Sequence, residues 1–263
     1  MKHKDQIGRL IELESTPKRI VSLVPSQTEL LHDLGLEDSV VGITKFCIHP
    51  IHYKSTKQVV GGTKQINIDK IKALNPDIIL CNKEENTKDI VEACEAICTT
   101  HVSDIFTIVD CIEVIIQYGE IFNKQKEAQA ISDKINFSLK DFKSFIKDKP
   151  TIKAAYFIWR NPWMVAGNGT FINHLLALNK FENIYSNLER YPEIELNKLR
   201  LEDGPEIVLL SSEPYPFKEE HALEIVNTST HIKTMFVDGE MFSWYGSRLI
   251  KAFSYFKSLR QSL

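Results

Sequence analysis

The stretch YGEIFNKQKEAQAISDKINFSLKDFKSFIKDK (118–149) decides how the chain is read. Between Gly119 and Pro150 it holds no further glycine or proline. Apolar residues recur at Ala128, Ile131, Ile135, Leu139, Phe142 and Ile146, in steps of three or four, which is one face of an α-helix. Glu127, Asp133, Lys134, Lys140, Asp141 and Lys147 fall between them and suit a wet face. Lys147 and Lys149 favour the negative C-terminal end, and Pro150 stops the helix. About 30 residues at ~1.5 Å each span roughly 45 Å, more than one small domain needs. Two readings stand, a long surface helix on a single domain or a strut joining two lobes. The flanking sequence favours the strut.

Ahead of it, Asp5–Lys18 reads as a hairpin or arm turning at Gly8, and Arg19–Val24 as a buried parallel strand. A helix follows, with Ser26 as N-cap, Glu29 completing a capping box and Gly35 at its end. Further strands are expected at 40–43, 76–80 and 101–102, and helices at 67–74, 87–98 and 109–122. Past the strut the order recurs: strand 152–158, helix 171–178, short helix 196–200, strand 205–210. IDKIKALNPDIIL (68–80) and LNKLRLEDGPEIVLL (196–210) share one layout of short amphipathic helix, turn, Pro-acidic pair and apolar strand. Two such copies imply two α/β lobes, and the alternation of strands with helices implies parallel sheets. The expected fold class is therefore α/β, with two Rossmann-like lobes joined by one long α-helix and a ligand cleft between them. The boundaries are 1–117, 118–149 and 150–263. Ligands of such sheets bind beyond the strand C-termini.

Composition is ordinary: 43% hydrophobic, 25% charged and a net charge of -3. No basic excess points to nucleic acid, and no apolar run approaches the ~20 residues of a membrane span. The start, MKHKDQIGRLIELESTPKR (1–19), has no apolar h-region, so no signal peptide is expected. That leaves a cytosolic protein or the mature form of an exported one. Five cysteines, an odd number, do not suggest a disulfide framework, and Cys94 and Cys98 read as small buried hydrophobes. A monomer is expected.

The strand-end loops carry the chemistry. Trp159, Trp163, Tyr215, Phe217, Trp244 and Phe46 are placed to line a broad cleft, and flat rings facing a gap suit a large planar ligand. Packing between helix and sheet is the alternative for each ring. Cys47, His49 and His52 form C-x-H-x-x-H, a set of soft and borderline metal ligands. It supplies too few ligands for a structural zinc site. A packed loop without metal is favoured, and an axial imidazole to the metal of a macrocycle stays open. Gly61-Gly62-Thr63-Lys64 lacks P-loop spacing and reads as a tight turn aiming Thr63 and Lys64 at the cleft. Residues 211–216 are not a nucleophile elbow. No Ser/His/Asp order has strand-end support, so hydrolase chemistry has nothing to stand on, and no permanent cofactor is expected. Lys218–Ala222 reads as a solvated helix start.

PKRIVSLVPSQTELLHDLGL (17–36), VVGGTKQINIDKIKALNPDIIL (59–80) and NPWMVAGNGTFINHLLALNKFENI (161–184) together resemble the substrate-binding proteins of vitamin B12, haem and iron-siderophore ABC importers. The resemblance covers roughly residues 5–260 and is nearest to the cobalamin type, in the class with a single long helix. It implies capture of a metal-chelate macrocycle, cobalamin or another corrinoid first, with haem or an iron-siderophore as the alternative. It implies delivery to an ABC permease, a periplasmic or cell-surface location, and no catalysis. By position, the ligand-contacting loops match Phe46–Pro50, Thr63-Lys64, Trp159–Trp163 and Ser243–Arg248. With Tyr215, the implied contacts are Phe46, His49, Thr63, Lys64, Trp159, Trp163, Trp244, Tyr245 and Arg248. Permease docking is implied at Asp69. The second docking position falls at Lys198, with Glu195 close by as its substitute. A cytosolic metal-handling or sensor protein, or an enzyme, on the same scaffold is the rival reading.

Overall fold

Two carboxylates show why the sequence repeats. Asp77, after Pro76, accepts hydrogen bonds from the backbone N–H groups of Lys18 (2.7 Å) and Arg19 (2.9 Å). Glu206, after Pro205, accepts from the N–H of Lys153 at 2.9 Å. Each pins the start of its strand against the start of the repeat's first strand, so both copies are locked in the same register. The computed structural model describes residues 1–200, 204–228 and 231–263. The turn read over 201–203 lies outside them. The chain forms two units: Met1–Phe137 with Tyr245–Ile250, and Ser138–Trp244 with Lys251–Leu263.

Unit 1 opens with a hairpin, β1 (Lys2–Lys4) and β2 (Leu10–Glu12), turned at Gly8 with φ of 84°. Its sheet has the order β5 (Gln58–Val59), β4 (Val40–Ile43), β3 (Ile20–Ser22), β6 (Ile78–Asn82), β7 (Thr100–Ser103), all parallel. The connecting helices are α1 (Pro25–Asp33), α2 (Tyr53–Thr56), α3 (Ile68–Ala73), α4 (Lys88–Glu95) and α5 (Ile108–Ile121). Sequence-local caps start three of them. Asn67 accepts from the N–H of Lys70, Thr87 from that of Ile90, and Thr107 with Asp110 builds a full capping box. Helix α1 departs from expectation. Pro25 takes the first helical position, Val24 precedes it without a side-chain cap, and the Ser26–Glu29 box does not form. Glu29 is instead drawn to Arg248.

The long helix is α6 (Gln125–Ile146), about 33 Å at 1.5 Å per residue. It carries the chain from unit 1 into unit 2. The face read from the sequence is largely the buried one: Ala128, Ile131, Ile135, Phe142 and Ile146 are inside, and Leu139 is half-buried. The helix starts later than its glycine- and proline-free stretch suggests, because Asn123 adopts a left-handed conformation (φ 55°) and separates it from α5. Gly119 lies inside α5, where a Cβ would come within 2.6 Å of the Ala128 Cβ. Only glycine lets the two helices approach that closely.

Unit 2 has the parallel order β10 (Phe181–Asn183), β8 (Ile152–Trp159), β11 (Ile207–Ser211), β12 (Lys233–Val237), with β9 (Met164–Val165) antiparallel to β8. Helices α7 (Phe171–Leu178), α8 (Glu219–Thr228), α9 (Gly239–Ser243) and α10 (Leu249–Gln261) complete it. Phe142, Phe242, Phe253 and Phe256 form one aromatic core, with the Phe242 and Phe256 ring centres 4.8 Å apart. The start of α8 is not fully solvated. His221 turns inward, and its Nδ1 accepts the N–H of Lys218 at 2.9 Å. Among the described residues, no helix is long and apolar enough to cross a membrane.

His101 on β7 is 0% exposed, with Nε2 at 3.1 Å from Gln117 Oε1. Burial pushes its pKa from 6.5 down to about 4. The unfolded chain therefore binds the extra proton first. Stability is complete above pH 6.5 and falls as pH drops toward 4, by roughly 3 kcal/mol in all. Urea midpoints of the parent and His101→Asn, compared at pH 7.5 and 4.5, should show the larger acid loss in the parent.

Candidate functional site

In each parallel sheet the loops after the strands gather at one edge. In unit 1 that edge joins the start of α1 to segments 44–52, 60–66 and 83–87, and to the returning residues 245–250. Gln27 is its hub. Its amide nitrogen donates to Ser103 Oγ (2.6 Å) and to the Tyr245 hydroxyl (2.9 Å), and its carbonyl accepts from the Tyr118 hydroxyl at 3.0 Å. Burial raises the phenol pKa of both tyrosines, so both hydroxyls stay neutral. Arg248 is 5% exposed and holds Glu29 through Nε (2.7 Å) and a second nitrogen (2.9 Å). Tyr245 and Arg248, expected as ligand contacts, thus hold the unit 1 edge from within.

Phe46 remains at the surface, 49% exposed, with the Lys45 ammonium 5.0 Å from its ring centre. His49 is half-buried in the same segment. Thr63 is buried, and its carbonyl accepts from Asn86 Nδ2 at 2.9 Å. Lys64 is exposed and donates to the Glu84 carbonyl at 2.5 Å. The Cys47/His49/His52 set does not act as one cluster. The Cys47 thiol points inward, accepting from the Thr28 hydroxyl at 3.1 Å, and burial pushes its pKa up. His52 reaches across the surface to Glu37, 2.7 Å away. Among the described residues, no group of three or more His, Cys, Asp or Glu is placed to hold a metal ion.

The unit 2 edge is aromatic. Trp159 ends β8, 40% exposed, with its ring edge-on to Tyr215 at 5.6 Å. Trp163 is half-buried and stacks on Phe217 at 5.9 Å, while the Arg160 guanidinium lies 5.4 Å from its ring centre. Arg160 is itself held by Glu224 at 2.6 Å. Trp244 is 7% exposed and donates its indole N–H to Glu213 Oε1 at 2.7 Å. The Ser243 hydroxyl donates to the same oxygen at 3.0 Å. Gly239 permits this packing, since a Cβ there would sit 2.6 Å from Glu213 Cγ.

The two surface acids lie on helical starts. Asp69 is exposed in the first turn of α3. Glu195 is exposed and pairs with Lys198 at 3.5 Å, so the lysine's charge is answered locally. Sequence reasoning gave no role to Gln27 or Glu213. Glu213 was findable as the carboxylate of the loop after β11.

A family model described as a periplasmic binding protein matches residues 20–229. An uncharacterised ABC transporter substrate-binding lipoprotein of Bacillus subtilis is 24% identical, across 94% of this chain and 81% of its own length. A vitamin B12-binding protein of Vibrio cholerae is 23% identical, across 78% of this chain and 72% of its own. Among solved structures, a periplasmic haem-binding protein from Roseiflexus sp. RS-1 is similar in fold. It has a TM-score of 0.79 and 14% identity, covering 93% of this chain and 98% of that one.

All three tryptophans belong to unit 2, so their fluorescence reports on it. Glu213→Ala should strand the Trp244 N–H and lower the stability of unit 2 by about 1–3 kcal/mol. Glu213→Gln keeps an accepting oxygen and should lose less. Urea titrations followed by tryptophan emission check the order.

Proposed function

This chain belongs to the periplasmic binding protein family, and from that premise we propose that it captures a metal-chelate macrocycle, a corrinoid first of all, for an ABC importer. The observation that carries the reading is the open aromatic edge of unit 2. Trp159 ends a parallel strand, set at a steep angle to Tyr215, and remains 40% exposed. A flat macrocycle stacked there would lose apolar hydration from both faces in contact. Phe46 offers a second exposed ring on unit 1. The named ligand of the Vibrio cholerae relative supports a corrinoid. Haem is the competing chelate, supported by the fold likeness to a haem binder.

On this reading the protein works outside the cytoplasmic membrane, as its lipoprotein relative's description suggests. Asp69 and Glu195 are the surface acids it offers to a permease. Lys198 beside Glu195 weakens that second contact, because the carboxylate already has a partner. Neither Trp244 nor Arg248 enters the proposed ligand surface, since both are committed to interior carboxylates.

A thermal-shift and visible-absorbance panel of cyanocobalamin, dicyanocobinamide, hemin and free divalent metals tests the reading. A chelate at ~100 times its Kd should add about 2.7 kcal/mol of stability, and free metals should add nothing comparable. Trp159→Ala should weaken the bound chelate about fivefold, the ~1 kcal/mol expected of ring stacking. No response to any of the three chelates would overturn the proposal.

A further inference from the structure

We propose that His221 is a positioning residue of the unit 2 aromatic edge. As a neutral imidazole it holds Tyr215 beside Trp159, and a second proton on the ring lets Tyr215 go. The inference rests on the reading of this edge as the ligand surface and adds its control by acid.

Lys218 directly precedes α8, so His221 stands at the third helical position. A capping box places Glu or Gln there, and its side chain accepts the N–H of the residue before the helix. His221 does the same with Nδ1, which accepts the Lys218 N–H at 2.9 Å. The side chain is 4% exposed. Its ring centre lies 5.3 Å from that of Tyr215 and 5.7 Å from that of Phe217. Those two rings carry the edge. Tyr215 lies 5.6 Å from Trp159, and Phe217 stacks on Trp163 at 5.9 Å. His221 thus contacts one ring of each pair while itself buried, and all five aromatic residues belong to unit 2.

The bond from Lys218 fixes the tautomer. A ring nitrogen that accepts a hydrogen bond carries no proton, so the neutral imidazole has its proton on Nε2. Nε2 faces the Tyr215 hydroxyl at 3.3 Å and donates to it. A second proton changes the balance. Nδ1 then becomes a donor facing the Lys218 N–H, another donor, and that bond is lost where little water can replace it. The Glu220 carboxylate, 3.5 Å from Nε2, gains from the added charge. The imidazolium is therefore drawn from Tyr215 toward Glu220. The other charged groups on α8 and on the elements against it are paired or in water, among the described residues. Arg160 holds Glu224 at 2.6 Å, Glu213 accepts from Trp244, and Lys198 pairs with Glu195. Lys218, Glu219, His231 and Lys233 are exposed. The edge is ordered while His221 is neutral and loosened once it is charged.

Proton–nitrogen correlation spectra of the ligand-free protein from pH 7.5 to 5.5 test this. They follow the His221 ring nitrogens and the Trp159 indole N–H, assigned by its loss in Trp159→Phe. Thermal melts confirm that each variant folds. In the parent at pH 7.5, Nε2 alone should carry the His221 proton. On acidification the Trp159 signal should shift with the same midpoint as the His221 ring. His221→Gln keeps an acceptor for Lys218 and a donor for Tyr215 without a titrating group, so its Trp159 signal should hold still. His221→Ala keeps neither and should show a displaced Trp159 signal at both ends of the range. Cyanocobalamin affinity should fall about fivefold over the same range in the parent, the loss of one ring contact, and less than about twofold in His221→Gln. A Trp159 signal that stays fixed in the parent, or that shifts equally in His221→Gln, overturns the inference. So does a cyanocobalamin affinity that is level in the parent or falls equally in both. A parent that binds no cyanocobalamin overturns the corrinoid reading instead, and the ligand-free spectra still decide the role of His221.

Discussion

The buried pair of Glu29 and Arg248 is the constraint that shapes unit 1. Neither side chain keeps more than 7% of its surface in water. Removing two such charges from solvent is unfavourable by several kcal/mol per ion, and only close geometry with further hydrogen bonds offsets it. The pair has that geometry: two nearly parallel bonds of 2.7 and 2.9 Å. Its partners stand 219 residues apart, so forming it requires residues 245–250 to leave unit 2 and fold back into unit 1. Once there, the Gly246 N–H meets the Cys111 sulfur at 3.0 Å and the Tyr245 hydroxyl joins Gln27 and Ser103. A charge that must be paired thus completes a polar network in which Gln27 is fully buried.

Local pattern carried most of the fold. Parallel strands covered on both faces read as continuous apolar runs, and β6 and β11 are buried at every position. The helical face of α6 was legible for the same reason, since periodicity records burial directly. What pattern did not record was the gap between α5 and α6. That stretch contains no proline, and Gly119 lies within α5. The break is made by Asn123, which tolerates the left-handed conformation but adopts helix equally well elsewhere. The lost capping box has a similar cause. Ser26 and Glu29 have the right spacing, but Pro25 moves the helix start and a distant arginine takes the carboxylate. A local rule yielded to a tertiary contact.

The strand-end loops were legible as loops because they follow the strands in sequence. The direction of each side chain was not. Trp244 sits among polar and turn residues, as an exposed ring would, yet Glu213 draws its indole N–H inward from 31 residues away. Cys47 shares a short motif with two histidines, yet Thr28 claims its sulfur from the preceding helix. In each instance the deciding partner is remote in sequence and polar. Hydrophobic periodicity is silent on such partners, because it reports which face is dry and not which hydrogen bond is made there.

The two edges, each taken by itself, differ in chemistry. The unit 2 edge offers rings: Trp159, Tyr215 and, behind them, Trp163 on Phe217. The unit 1 edge offers a hydrogen-bonded frame of Asn82, Asn86 and Thr63. Stacking gives affinity with little discrimination, since every flat macrocycle has a face. Hydrogen bonds to a rim discriminate, because a fixed acceptor facing another acceptor is penalised more strongly than the right donor is rewarded. Such discrimination needs an acceptor that cannot turn away. The Asn82 and Asn86 bonds hold the loop after β6 to its own strand and to the Thr63 carbonyl, which gives its backbone that rigidity.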